Sequence, residues 1–238
     1  MSRVSVTLVT AALLCLAGAR PGATQSADEI IRKNLDARGG LTRLKAIQTM
    51  KQTGTMSMQG SDYVVTIYSK RPNLIRQETS VNGQLIVNGF DGLTPWILNP
   101  IVSPRPIILT GPQADQIKED ADFDTPLVDY KARGATLAYN GFEMMGSRRV
   151  VHLRLTTSAG QRSDLYLDGE TYLDAKLTTQ MPQARLDREL SDYRDQGGVQ
   201  VPFLIRTLLN GVVQSELKLQ TVEFDVKLDD ALFRVPKG

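Results

Sequence analysis

Six dipeptides punctuate this chain and set the strongest limit on how it can fold. Asn-Gly occurs at Asn82-Gly83, Asn88-Gly89, Asn140-Gly141 and Asn210-Gly211, and Asp-Gly at Asp91-Gly92 and Asp168-Gly169. Such pairs accept the positive φ angles of tight hairpin turns. Their spread favours sequential hairpins over helical crossovers, and so an antiparallel meander over a parallel sheet. The segments around them are rich in Val, Ile, Thr, Tyr and Leu, and they alternate. Val151, Leu153 and Leu155 oppose His152 and Arg154. Leu165 and Leu167 oppose Asp164, Tyr166 and Asp168. Phe203 and Ile205 oppose Leu204 and Arg206, and Val222, Phe224 and Val226 oppose Glu223 and Asp225. One greasy face and one wetter face is the pattern of a sheet that covers something on one side only.

Helical texture is confined to three places. Gln25 to Ile47 opens with Ser26 and Glu29, an S-x-x-E capping box in which each side chain can satisfy the other's backbone N–H. Ile30, Ile31 and Leu35 recur at helical spacing, and Gly39-Gly40 stops the helix. Leu41, Leu44 and Ile47 then predict a short second helix or a turn of one. Asn99 to Pro112 carries Pro100, Pro104, Pro106 and Pro112. Proline cannot donate to a sheet ladder, so this stretch is a loop or an edge. Gln113 to Asp122 comes next, with Ala114, Ile117 and Ala121 on one face and Thr110 and Gln113 as a second capping box. Pro126 to Arg133 predicts another short helix, with Thr125 as cap and Gly134 as stop.

The first residues read as an export signal. Arg3 precedes an apolar run from Val4 to Leu16, and Ala17-Gly18-Ala19 gives the small-x-small pattern that signal peptidase reads. A retained membrane anchor is the alternative, although the run is short for a span. Cys15 is the single cysteine and lies inside the signal. Leu14 before it is too large for a lipoprotein site, so lipidation is not expected. Cleavage near Ala19 leaves a mature chain, residues 20–238, without cysteine. A packed core in one domain must then supply the stability. Basic and acidic residues number 28 and 26, and no stretch is strongly basic, so nothing points to nucleic acid.

The residues offer little catalytic chemistry. His152 is the only histidine. Within one chain this excludes Cys/His zinc sites and the H-E-x-x-H motif. A Ser-His-Asp triad would need His152, which sits mid-strand between Val151 and Leu153 and reads as an outward-facing strand residue. No G-x-S-x-G elbow is present. Neither a phosphate loop nor a G-x-G-x-x-G strand-to-helix turn occurs. No catalytic residue, metal or cofactor is therefore assigned. A hydrolase using a carboxylate pair is the catalytic alternative. Asp229-Asp230 reads as terminal capping, and Asp120 and Asp122 as solvated helix-end residues. Met56, Met58, Met144, Met145 and Met181 read as core filling, or as an adaptable greasy surface.

Four segments in order resemble the bacterial outer-membrane lipoprotein-sorting proteins, relatives of the periplasmic carrier LolA and its receptor LolB. They are the first helix with Gly39-Gly40 and Leu44-Lys45-Ala46-Ile47, and Leu165 to Leu173 as strand, turn and strand. Next come Ser191-Asp192-Tyr193-Arg194 with Gly198-Val199 and Val201-Pro202, and finally Val222-Glu223-Phe224 with Leu228 to Phe233 and Pro236. The resemblance spans nearly all of the mature chain and carries structure, not catalysis. It implies a mainly β fold, a curved antiparallel sheet forming an incomplete β-barrel, with a few helices over its open apolar side.

It also implies a periplasmic, non-catalytic binding or carrier protein. Its partners would be lipid or lipoprotein acyl chains and a membrane-bound donor or acceptor protein. A lipoprotein-sensing or docking module is the alternative binding role, and a monomer is expected. Candidate lining residues are Val65, Ile67, Leu153, Leu155, Leu165, Leu167, Phe203 and Ile205. Ile30, Ile31 and Leu35, with Ala114 and Ile117, would cover them, and the loop from Trp96 to Pro106 would form the rim. Which strand face lines the hollow stays open at this point.

Overall fold

The structure, a computed structural model, describes residues 26–181 and 183–237. The expected export signal, Cys15 and the cleavage point near Ala19 lie outside the described residues. Thirteen antiparallel strands make one sheet that does not close. The chain enters through two helices, α1 (Ala27–Ala37) and α2 (Leu41–Ala46). It then runs through β1 (Thr49–Met58), β2 (Ser61–Lys70), β3 (Leu74–Val81), β4 (Gln84–Phe90), β5 (Pro95–Leu98) and β6 (Ile107–Ile108), the last an edge of the sheet. Helix α3 (Gly111–Ala121) and a run of turns carry it to the opposite edge, β7 (Thr136–Met145). From there β8 (Arg148–Thr156), β9 (Arg162–Asp168), β10 (Asp174–Gln180), β11 (Arg185–Gln196), β12 (Val199–Leu209) and β13 (Val212–Phe224) step back inward. Strand β13 ends beside β1, with Met50 opposite Phe224 and Met58 opposite Ser215.

Strand pairing and packing decide which of the alternating faces is inner. Directly paired residues share a face, and Leu153, Leu165 and Leu177 are paired in turn. So are Ile205, Leu217 and Met56. This inner face is packed in three clusters. Ile30 and Ile31 of α1 join Leu127, Tyr130, Val151, Leu153, Leu155, Leu165 and Leu167. Leu44 and Ile47 join Val65, Val199, Val201, Phe203, Leu217, Leu219 and Val222, with Ile67 and Ile205 against them. Ala121 of α3 joins Ile75 and Phe90, with Ile67 and Ile117 against them.

Several local expectations are corrected. The capping box is half made: Ser26 Oγ accepts from the Glu29 N–H at 3.2 Å, while the Glu29 carboxylate turns to Lys33. Thr110 precedes α3 without capping it through its side chain. Residues 126–134 form successive turns rather than a helix, because Asp129 takes φ 53° and breaks the helical path. Asp120 and Asp122 are not merely solvated; they pair with Arg188 and Arg133. Asp229 does cap, accepting from the Ala231 N–H at 2.8 Å.

Trp96 is not a rim residue. Ile67, Gln77, Asn88 and Ile97 are paired in turn on the inner face, so Trp96 stands on the outer one. There it is fully buried, and its Nε1–H donates to the Phe233 carbonyl at 2.9 Å. The C-terminal tail crosses this outer face, and Lys70 and Arg76 donate to the carbonyls of Leu228 and Leu232.

Candidate functional site

The connection from β6 to β7, residues 109–135, joins the two free edges of the curved sheet and passes over its inner side, where Ala121, Leu127 and Tyr130 pack against strand residues. It is a strap, and polar side chains fasten it. Arg71 donates to both oxygens of Asp124 at 2.5 and 2.7 Å, and to the Ile47 and Leu44 carbonyls at 2.6 and 2.9 Å. Its guanidinium lies 4.6 Å from the centre of the Phe123 ring, within cation–π reach. Arg38, at the end of α1, donates from Nη1 to Thr125 Oγ1 at 2.9 Å. Lys45 pairs with Asp129 at 2.5 Å.

Strap and sheet leave space between them. A hollow of about 260 Å³ is walled by Ile47, Leu165, Leu177, Val199 and Ile205, with Phe123 and Pro126 from the strap. A second, of about 440 Å³, lies on the far side of Phe123 to Pro126 and shares Leu177 and Leu190 with the first. Its walls are more polar and include Ser163, Thr179 and Arg188. A shallower cavity of about 550 Å³ lies beside α3 and the β10–β11 connection, where Met181 and Leu186 stand among Gln116, Gln161 and Gln180. The two acids of the first hollow face cations. Asp124 is held by Arg71, and Asp174 Oδ2 lies 3.7 Å from Arg38 Nε. Tyr193, also in the wall, donates its hydroxyl to the Asp174 carbonyl at 2.8 Å, and burial pushes that hydroxyl's pKa up, so it stays protonated.

Of the expected lining residues, Leu165 and Ile205 stand in the wall of the first hollow and Leu155 in that of the second. Ile30, Ile31, Leu153 and Leu167 meet in solid core, with Leu35 against both major clusters. Val65 and Phe203 lie in the second cluster, Ile67 packs against the second and third, Ile117 of α3 packs against the third, and Ala114 of α3 is buried. Sequence reading missed the strap residues and their arginine fasteners. The available signal was Phe123, an aromatic between Asp122 and Asp124, just past an amphipathic helix.

The outer face carries a separate polar cluster. His152 is buried rather than simply outward-facing: its ring nitrogens lie 2.5 Å from Glu143 and 2.8 Å from Asp164, and it stacks on Tyr166. Among the described residues no group of three or more His, Cys, Asp or Glu side chains could hold a metal ion. No helix among them is long and apolar enough to cross a membrane.

An unclosed antiparallel sheet with helices over its inner side is the fold of LolA-like proteins. Three solved structures share it. A LolA superfamily protein from Nitrosomonas europaea is 16% identical, with a TM-score of 0.59, over 89% of this chain and 98% of that one. An outer membrane lipoprotein-sorting protein domain from Vibrio parahaemolyticus is 14% identical, with a TM-score of 0.58, over 87% and 97%. A DUF1329 family protein from Desulfovibrio piger is 15% identical, with a TM-score of 0.59, over 86% and 97%. No family model and no curated protein matches the sequence.

Proposed function

We propose that this is a non-catalytic periplasmic protein that binds apolar chains, of lipids or of lipoproteins, between sheet and strap. The observation that supports this best is the hollow itself. It shares wall residues with a second cavity, and it is roofed by a segment that polar side chains fasten alongside the buried Leu127, Val128 and Tyr130. Burying each methylene from water contributes about 0.8 kcal/mol, so a chain gains affinity there without any exact polar match. Release would require the strap to trade its sheet contacts for solvent while the ligand leaves. The likeness to lipoprotein-sorting folds supports the same reading at the level of architecture.

The test is native mass spectrometry of the protein purified from a bacterial periplasm, then delipidation and return of acylated cargo. A carrier is expected to co-purify with lipid and, once emptied, to take up cargo and hand it to acceptor vesicles. Uptake without transfer would favour a sensing or docking role. A well-folded sample that neither holds nor takes up lipid would overturn the proposal.

A further inference from the structure

Arg38 lines the 260 Å³ hollow with its hydrogen bonding unfinished. Nη1 is taken by Thr125. The Nε–H is buried and makes no hydrogen bond. Asp174 Oδ2 stands 3.7 Å from that nitrogen, beyond hydrogen-bond length. A buried donor without an acceptor costs roughly 1–3 kcal/mol, and more on a charged group. Arg71 in the same wall makes the contrast plain, since its Nε, Nη1 and Nη2 all donate to carbonyl or carboxylate oxygens. The Nε–Nη2 edge of a guanidinium is a fork that takes a carboxylate or phosphate through two parallel bonds. In Arg38 no hydrogen bond is made along that edge among the described residues.

We infer that Arg38 anchors the head group of the ligand, and that the ligand is an anionic amphiphile: an apolar chain ended by a carboxylate or a phosphate. The inference rests on the reading of the hollow as a lipid site and adds the chemistry of the ligand's polar end. A shift of the Arg38 side chain, which one hydrogen bond to Thr125 and the 3.7 Å ion pair with Asp174 hold, presents its Nε–Nη2 edge to the head group in place of Asp174. The apolar chain then runs past Ile47, Leu165 and Ile205 to Leu177 and Leu190, the two leucines that face both cavities. A neutral alcohol gains the same apolar burial and can accept one hydrogen bond, but it brings neither the second acceptor of the fork nor the charge.

Displacement of the neutral fluorescent probe N-phenylnaphthylamine from the delipidated protein separates these cases. Decanoic acid, decyl phosphate and decanol are compared. At least one of the two anions is expected to displace the probe at a concentration at least tenfold below that of decanol, and the stronger one identifies the head group. In Arg38→Gln the potency ratio of that anion to decanol is expected to fall to about one, and the ratio is the readout because Arg38 also lines the hollow. Equal potency of both anions and the alcohol on the unmodified protein overturns the anchor and leaves the apolar site standing. Failure of all three to displace bound probe, or of the probe to bind, overturns the lipid site itself. The comparison on the unmodified protein is decisive even if Arg38→Gln folds poorly. Retention of the anion's advantage in a folded Arg38→Gln also refutes the anchor.

Discussion

Trp96 ties the sheet to the tail through one side chain. Its indole is fully buried and its single N–H is satisfied by the Phe233 carbonyl, so truncation removes both apolar contact and a polar partner. Trp96→Ala is expected to cost about 3–5 kcal/mol, read as a lower midpoint of urea unfolding. Leu93→Ala, at a side chain 88% exposed, should change stability by less than about 0.5 kcal/mol. Asp164 is the acid-sensitive residue of the outer cluster. Burial opposes its charge, but hydrogen bonds from Arg154 and His152 outweigh that and hold its carboxyl below the ordinary range. The unfolded chain therefore takes up this proton first. The contribution is complete above the ordinary carboxylate value of about 3.9 and is lost as pH falls through the lower folded value. Asp164→Asn is expected to be less stable at neutral pH and to show a shallower loss of stability below pH ~4, read from thermal melts across pH.

The strap is the element that the sequence half disclosed. Helix α3 is legible from Ala114, Ile117 and Ala121, but residues 122–135 are not: their turns depend on the left-handed Asp129 and on contacts from distant Arg71, Arg38 and Lys45. Periodicity carries no record of such partners. The turn dipeptides divide in the same way. Asn82-Gly83 and Asn210-Gly211 make the expected two-residue hairpin turns, Asp91-Gly92 lies in a connection, and Asp168-Gly169 spans the end of β9 and the turn after it. Asn88-Gly89 and Asn140-Gly141 instead lie inside strands. Gly89 is there because a Cβ would stand 2.3 Å from the Trp96 ring. Gly141 is there because φ 103° permits an irregularity in the pairing of β7 with β8. The greasy faces of β8, β9 and β12 were readable from alternation, but which face turns inward was not, and neither was the hollow, since a greasy face looks the same whether filled or empty. Arg71→Leu strips Asp124 of its partner at a mostly buried position. It is expected to destabilise the protein by about 3–5 kcal/mol. Hydrogen exchange should rise first in residues 122–135, with β11 to β13 still protected.

At the scale of the whole molecule, the chain begins its sheet in the middle. It winds outward from β1 to one edge at β6, crosses by the strap to the other edge at β7, and winds inward until β13 meets β1. Each outward or inward run consists of neighbours in sequence, while the β1–β13 pairing joins residues such as Met50 and Phe224. Long-range pairing of this kind is slow because the loop must close before any contact rewards it. Pulse-labelled refolding is expected to protect β2 to β4 and β8 to β10 before the β1–β13 ladder; simultaneous protection would show that the sheet forms in one step. The same seam bears on how such a chain is made. Synthesis delivers β1 first of the strands and its neighbour β13 last of them, so a nascent or clipped product lacking β13 displays an unpaired ribbon at its centre instead of at a guarded border. Such a border invites pairing with other chains, which makes the integrity of the last strand a checkpoint that separates a finished molecule from an aggregation seed.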